Sequence, residues 1–279
     1  MTTMTATVST DTDIHEHRWD ATRAHVSSQA RGVYLFHGLG EHAGCYDHVA
    51  RWFAARGYQV GAHDHPGHGR SSGKRGVLES DEAIEQAAIE QFDRFSAEFD
   101  QTPLLVGHSL GGALAANLVL TSRLQPTGLI LSAPAFEPAM TRWQQAQLGV
   151  MDKLARDVSV QARLSGPLLT HDEAMRFARQ SDELIHHSVS ARLLTWLVTA
   201  GAEALNLAPA LSVRTLLLVP QEDVIVRPQA SDVFAETAPA HLISHYKYNG
   251  LYHEIFNETP MDRDRVFSDI ARWLDEHEY

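Results

Sequence analysis

The sequence has little of several features that mark particular classes of protein. It contains a single cysteine, Cys45, so no disulfide can form within the chain and a cysteine-based zinc site is excluded. No apolar run approaches the roughly 18 residues that a membrane-spanning helix needs. The segment before Asp13 has neither the basic nor the apolar part of a signal peptide. We therefore expect a cytoplasmic protein with no stable membrane anchor.

Basic residues are also scarce relative to acidic ones. The 279 residues include 23 Lys and Arg against 35 Asp and Glu, which gives a formal net charge of −12. Because an acidic surface repels phosphate backbones, we expect no nucleic-acid partner. Hydrophobic residues make up 44% and charged residues 21% of the chain, as in ordinary globular proteins.

Short, continuous apolar runs alternate along the chain with longer amphipathic stretches. Continuous apolar character is typical of strands that are covered on both faces. Apolar residues recur at helical spacing from Ile84 to Phe99 and again from Val266 to Leu274. This alternation predicts an α/β fold with a mostly parallel sheet flanked by helices. The predicted strands are 33–36, a segment around Val60, 104–106, 129–131, 216–219 and 242–246.

One part of the chain departs from this alternation. Residues 136–211 contain no convincing strand but several helix-like segments, such as 191–205. The pattern predicts a helical cap over 136–211, inserted into a core formed by 14–135 and 212–279. Residues 1–13 are rich in Thr, Ser and Asp, and we expect a flexible tail there.

A candidate nucleophile, Ser109, follows the predicted strand 104–106. The sequence there is Gly-His-Ser-Leu-Gly, and an Ala- and Leu-rich stretch comes after it. A nucleophile on a sharp strand-to-helix turn needs small neighbours, and Gly107 and Gly111 provide them. An ordinary glycine turn before a helix is the alternative reading of this segment alone.

A serine nucleophile also needs a base, an acid and donors for the oxyanion. His253 follows the last predicted strand, and Asp223 follows the strand before it, so both are expected at the carboxyl edge of the sheet. The neighbouring Glu222 stays open as an alternative acid. The N–H groups of Leu110, next to the serine, and of Leu39, in a glycine-rich turn, are the candidate oxyanion donors.

Five motifs stand in an order that resembles the monoacylglycerol lipase and lysophospholipase branch of the α/β-hydrolases, the serine aminopeptidase S33-type hydrolases. The resemblance extends from about residue 15 to the end of the chain. The motifs are HGLGEH at 37–42, DHPGHGRS at 64–71, GHSLGG at 107–112, a strand-end Asp223 and LYHEIFNE at 251–258.

The resemblance implies an α/β-hydrolase fold and a triad of Ser109, Asp223 and His253. It also implies an oxyanion hole at Leu39 and Leu110, a cap over an acyl pocket, and no cofactor. The substrate would be a small-molecule acyl ester of the monoacylglycerol or lysophospholipid type. Expected substrate-binding residues are Glu41, Cys45, Trp143 and Leu194. Cys45 departs from the family, because members that prefer monoglycerides commonly carry a basic residue there, which is thought to help bind the glycerol head.

The predicted cap is rich in large apolar side chains. They would line a channel or touch lipid transiently, although most of them are expected simply to pack the cap on the core. The residues concerned are Trp143, Leu148, Met151, Leu154, Leu193, Leu194, Trp196 and Leu197.

The sequence also offers three alternatives: a metal site, another reaction of the same triad, and a binding role without catalysis. His63, His65 and His68 invite a metal site, but Gly67 stands where a binuclear metallo-hydrolase motif needs an aspartate, so we expect no metal. The triad alone leaves thioesterase, small-ester esterase, peptidase and C–C hydrolase chemistry open. A non-catalytic binding module on the same fold has no need of all three triad residues, which disfavours it.

Overall fold

The computed structural model describes residues 13–22, 30–161 and 168–279, so the predicted tail lies almost wholly outside the described residues. The strands are β1 (Glu16–Trp19), β2 (Arg31–Phe36), β3 (Tyr58–His63), β4 (Leu104–His108), β5 (Leu129–Ser132), β6 (Ser159–Gln161), β7 (Ser188–Ser190), β8 (Thr215–Pro220) and β9 (Ile243–Tyr248). The helices are α1 (Asp47–Ala54), α2 (Ala83–Ser96), α3 (Leu110–Leu120), α4 (Arg142–Leu154), α5 (Glu173–Ser181), α6 (Ala191–Leu207), α7 (Pro228–Thr237) and α8 (Pro260–Glu276).

Seven of these strands form one sheet in the order β1-β3-β2-β4-β5-β8-β9. Every neighbouring pair is parallel except β1 and β3. The six predicted strands are confirmed as β2, β3, β4, β5, β8 and β9. Strand β1 was not predicted, because its sequence, Glu-His-Arg-Trp, has no apolar run and only partial burial at the sheet edge. The α/β-hydrolase class with a mostly parallel sheet is confirmed.

Helices cover both faces of the sheet and bury one apolar cluster on each. The cluster on one face includes Phe92 of α2, Leu114 of α3 and Phe234 of α7. The opposite cluster includes Phe53 of α1 and Trp273 of α8. Because successive strand residues point to opposite faces, a strand between the clusters must be apolar along its whole length. This requirement explains the continuous apolar runs in the sequence.

The chain between β5 and β8 spans the predicted cap, whose role as a cover stays a prediction, and the expected helix at 191–205 is present as α6. The expectation that 136–211 contains no strand is wrong, because β6 and β7 pair antiparallel with Ser159 opposite Ser190. Each of these strands has three residues, too few to produce a recognisable alternation. Helix α6 also packs in the core cluster, with Leu193 and Ala200 buried, whereas α4 buries none of its residues.

Gly111 allows the first turn of α3 to lie directly against the end of β2. A Cβ atom at this position would stand 2.6 Å from the His37 carbonyl oxygen and would also strike the Phe36 carbonyl. Both obstacles are main-chain atoms, which cannot rotate away. The close approach brings the turn after β2 beside the start of α3.

We expect Gly111→Ala to lower the free energy of unfolding by about 1–3 kcal/mol, because the methyl group must push α3 away from β2. Gly149→Ala in α4 is the matched control, since a Cβ there meets nothing within 4 Å. The control should leave stability unchanged or raise it by up to about 1 kcal/mol. Urea unfolding of both variants measures the difference, and equal midpoints would contradict the close approach.

Candidate active site

Ser109 lies in the sharp turn where β4 ends and α3 begins. Its φ is +52° and its ψ is −116°, a left-handed conformation that is strained for a residue with a Cβ atom. Main-chain hydrogen bonds hold it there. The Ser109 N–H donates to the Ser132 carbonyl at 3.0 Å, and its carbonyl accepts from the N–H groups of Ala113 and Ala135 at 3.0 and 2.9 Å. The turn has the conformation expected of a nucleophile elbow.

The structure brings the three predicted triad residues together. The Ser109 hydroxyl lies 2.9 Å from Nε2 of His253, and Nδ1 of His253 lies 2.6 Å from Oδ2 of Asp223. The other oxygen of Asp223 accepts from the N–H groups of Ile225 and Val226 at 2.8 and 3.0 Å, which fixes the carboxylate. The neighbouring Glu222 is exposed, and Asp223 is the acid that faces the histidine.

The charges of the site favour a base at Nε2 of His253. Burial alone would lower the pKa of His253, but the charge and hydrogen bond of Asp223 outweigh it, and with Glu254 and Glu41 they raise that pKa. Burial would raise the pKa of Asp223, yet His253 and the two N–H donors keep it below its usual range. Asp223 therefore stays ionised, holds the Nδ1 proton, and stabilises the imidazolium that forms when Nε2 takes up a proton.

The two candidate oxyanion donors lie on either side of the nucleophile. Leu39 stands in the turn after β2, and Leu110 is the first residue of α3, where the helix dipole is positive. Within the described ranges, neither N–H group donates a hydrogen bond to another protein atom. Both donors are thus available for a substrate oxygen, and their role as an oxyanion hole stays a prediction.

A cavity of about 440 Å³ lies between the cap and the core and reaches Ser109 and Leu39. Leu194, one of the residues expected to bind substrate, is part of its wall. Most of the lining is apolar. It includes Leu148, Met151, Leu197, Ile225 and Val226.

The other apolar residues of the cap occupy different surroundings. Leu193 and Trp196 are buried and pack the cap on the core. Trp143 lies on the outer surface of α4, 71% exposed, and is not part of the cavity wall; Leu154 is 81% exposed. None of the helices in the described part of the chain is long and apolar enough to span a bilayer.

Glu41 and Cys45, both expected to contact substrate, are not part of the wall of the apolar cavity. Glu41 is buried and borders a second, much smaller space of about 20 Å³ next to Ser109 and His253. Its carboxylate accepts hydrogen bonds from the Gly38 N–H at 2.7 Å and from the Tyr46 hydroxyl. Cys45 is half-buried and borders neither space, and burial raises the pKa of its thiol.

Three charged or polar side chains near the site were not predicted from the sequence. Arg179 of α5 lies 2.6 Å from Glu41 and 3.4 Å from Glu254, and His108 lies 3.7 Å from Glu254. Glu254 stands next to His253 in the chain, so its proximity to the site could have been inferred. Arg179 is part of no motif, and nothing in the sequence marks it.

His63, His65 and His68 form part of a buried network around His37. The main-chain N–H of His65 donates to Nε2 of His37 at 2.9 Å, and Nδ1 of His65 lies 3.1 Å from Nε2 of His63. Burial lowers the pKa of all three, that of His63 to about 3, so they are neutral near pH 7. They serve as packing and hydrogen-bonding groups.

Among the described residues, ligand atoms converge in three other groups. Their carboxylates already accept hydrogen bonds from protein donors: Asp64 from Ala43, Asp182 from Leu184, and Glu41 from Gly38. The absence of a metal stays a prediction. The groups are His15, His17 and Asp64; His42, Cys45 and Asp182; and Glu41, His108 and Glu254.

Comparisons with known proteins agree with the geometry. A family model described as serine aminopeptidase, S33, matches residues 27–260. A monoacylglycerol lipase of Mycolicibacterium smegmatis is 29% identical over 249 residues, which cover 88% of each chain. An uncharacterized abhydrolase domain-containing protein of Dictyostelium discoideum is 31% identical over 88% of this chain, which spans 26% of that relative's length. The crystal structure of Paleococcus ferrophilus monoacylglycerol lipase superposes with a TM-score of 0.83 at 27% identity, covering 95% of this chain and 99% of that one.

Replacing the acid should separate Asp223 from its neighbour in the sequence. We expect Asp223→Asn to lower kcat on the order of 10⁴-fold, because the amide no longer holds the His253 tautomer or stabilises the imidazolium. Glu222→Gln, which alters an exposed side chain, is the matched control and should leave kcat within about twofold of wild type. Steady-state hydrolysis of a soluble ester provides the measurement, and the reverse ranking of the variants would assign the role to Glu222.

Proposed function

The chain belongs to the serine aminopeptidase S33 family of α/β-hydrolases, and from this and its likeness to monoacylglycerol lipases we propose that it hydrolyses carboxylic esters of single-acyl lipids. The substrates would be of the monoacylglycerol or lysophospholipid type, with an acyl-enzyme on Ser109. The observation that carries the proposal is the hydrogen-bonded series from Ser109 through His253 to Asp223, placed where an apolar cavity reaches the serine.

In the proposed acylation step, the Ser109 oxygen attacks the ester carbonyl carbon while Nε2 of His253 takes the hydroxyl proton. The carbonyl oxygen becomes an oxyanion, which the N–H groups of Leu39 and Leu110 stabilise. The C–O bond to the alcohol then breaks, and His253 gives its proton to the departing alcohol oxygen. The acyl group remains on Ser109 as an ester.

Deacylation uses the same groups with water as the nucleophile. The space of about 20 Å³ beside Ser109 and His253 is close to the size that one water needs. His253 takes a proton from the water as it attacks the acyl carbonyl, and then returns that proton to the Ser109 oxygen. The fatty acid leaves and the enzyme is restored with no cofactor.

The cavity supports a substrate with a single acyl chain. Its volume of about 440 Å³ lies within the range of about 300–1,000 Å³ that small-molecule sites occupy, and its wall is mainly apolar. Leu194 would contact the acyl chain. Glu41 and Cys45 are not part of the cavity wall, so we propose no contact of either with the acyl chain.

The outer surface of α4 supports a transient contact with lipid. Trp143, Val150 and Leu154 are 71%, 57% and 81% exposed, and their spacing of seven and four residues places them on one face of the helix. The same helix contributes Leu148 and Met151 to the cavity wall. An apolar helix face of this kind can rest on a lipid surface while the substrate enters beside it.

Intact-mass measurement after incubation with a fluorophosphonate tests the nucleophile. We expect one stoichiometric adduct on the wild-type protein and none on Ser109→Ala, because only an activated serine oxygen displaces fluoride from phosphorus. Circular dichroism of the variant confirms that it is folded. Absence of an adduct on folded wild-type protein would favour a non-catalytic binding module.

Filling the cavity tests the assignment of the acyl site. Leu194→Trp should lower kcat/KM for a twelve-carbon ester by about tenfold or more and leave a two-carbon ester nearly unchanged, because the indole occupies space that only a long chain needs. Thr199→Trp places the same side chain on the exposed side of α6 and serves as the control. Equal losses on both esters, or no loss on either, would exclude this cavity as the acyl site.

A further inference from the structure

A mostly buried arginine from the cap, Arg179 of α5, lies between two carboxylates of the core. Nη1 of Arg179 stands 2.6 Å from Oε2 of Glu41 and 3.4 Å from Oε1 of Glu254. The three side chains are 14%, 1% and 6% exposed, respectively. A buried ion pair of this kind is costly to assemble and costly to break, because a partner left alone is a buried charge without compensation.

Each carboxylate belongs to a loop that carries a reacting group. Oε1 of Glu41 accepts from the Gly38 N–H at 2.7 Å and so fixes the peptide next to Leu39, a proposed oxyanion donor. Glu254 directly follows His253, and its N–H donates to the Leu169 carbonyl of the cap at 2.9 Å. Arg179 therefore links the turn after β2 that contains Gly38 and Leu39 (the oxyanion turn) to the loop that contains His253 and Glu254 (the histidine loop).

Arg179 is also the cation of this cluster. Burial would lower the pKa of Arg179, but Glu254 and Glu41 outweigh it and raise that pKa, so the guanidinium stays charged. Burial would raise the pKa of Glu41, yet Arg179, His108 and the Tyr46 hydroxyl hold it well below its usual range. Burial lowers the pKa of His108, which leaves this ring neutral near pH 7.

We propose that Arg179 is a positioning residue for ester hydrolysis, which holds the oxyanion turn through Glu41 and the histidine loop through Glu254. The proposal rests on the function proposed above. It makes helix α5 of the cap part of the catalytic geometry, since the donor peptide and the base are aligned by a side chain that the cap supplies.

Arg179 also sets the electrostatic surroundings of His253. With the guanidinium removed, Glu41 and Glu254 face His253 without a compensating charge, and each of them favours the imidazolium. Since His253 must be neutral to accept the serine proton, kcat/KM would then begin to fall at a higher pH on the acid side. The groups that face His253 are Asp223 after β8, Glu254 in its own loop, Glu41 after β2, His108 at the end of β4, and Arg179, which pairs with the two glutamates.

Three variants at this cluster test the proposal with a soluble short-chain ester. Arg179→Met removes the charge, and Arg179→Lys keeps the charge on a shorter side chain without the guanidinium whose Nη1 lies near both glutamates. Arg179→Met/Glu254→Gln removes the cation together with one anion. Arg156→Met is the matched control, because Arg156 also joins the cap to a core carboxylate, Asp81, but in an exposed ion pair. Circular dichroism and fluorophosphonate labelling are recorded for every variant.

For Arg179→Met we expect kcat to fall about 10- to 100-fold with KM within about threefold, as for a small misplacement of reacting groups. Its acid limb of kcat/KM should move to higher pH by about half a unit or more. Arg179→Lys should keep the wild-type acid limb and recover part of kcat. The double variant should move the acid limb back toward wild type, and Arg156→Met should match wild type in both readouts.

Several results would overturn the proposal. A rise in KM with kcat unchanged would mean that Arg179 touches the substrate, and identical behaviour of Arg179→Met and Arg156→Met would mean that it only attaches the cap. If Arg179→Met does not fold, wild-type kcat in Arg179→Lys would reject the proposal equally, because that variant is expected to recover only part of kcat. Failure of the proposed function is a different result, since wild-type protein would then give neither turnover nor a fluorophosphonate adduct.

Discussion

The left-handed turn at Ser109 is the constraint on which the other parts of the site depend. A side chain at φ +52° is held there only if its surroundings leave it no alternative, and three main-chain hydrogen bonds provide this. The turn also requires that α3 start against the end of β2, which only a glycine at 111 permits. The same close approach places the Leu39 turn beside the Leu110 N–H, so the candidate nucleophile and the candidate oxyanion donors arise from one packing arrangement.

Electrostatic interactions stabilise the site that the main chain positions. The site places three carboxyl groups, two imidazole rings and one guanidinium in a region nearly closed to water. Asp223 lies against His253, and the two glutamates share Arg179, so each carboxylate lies beside a group that can carry a positive charge. Such an arrangement is costly to form but rigid once formed, because moving any one group leaves another buried charge unpaired. Rigidity of this kind is what a preorganised oxyanion site needs.

The sequence predicts the central sheet, and it predicts that Ser109, Asp223 and His253 come together, for clear physical reasons. Strands between two helical layers must be apolar on both faces, and a strained nucleophile turn must have small neighbours at 107 and 111. Strand β1 was not predicted because a half-exposed edge strand need not be apolar on both faces. Strands β6 and β7 were not predicted because three residues are too few to show an apolar pattern. Arg179 was not predicted because its proposed role depends on the position of α5 relative to two loops more than 70 residues away in the sequence. No local sequence pattern indicates that position.

The uneven burial of the cap determines where it can part from the core. Helix α6 lies in the apolar cluster beside α3, so displacing it would expose Leu193, Trp196 and Ala200 at a cost that grows with the apolar area uncovered. Helix α4 buries no side chain, and three of its large apolar residues already face solvent. Local opening is therefore cheapest at α4, while α6 stays in place. For the substrate proposed above, the route into the cavity would then lie along α4, the cap helix that is least attached to the core.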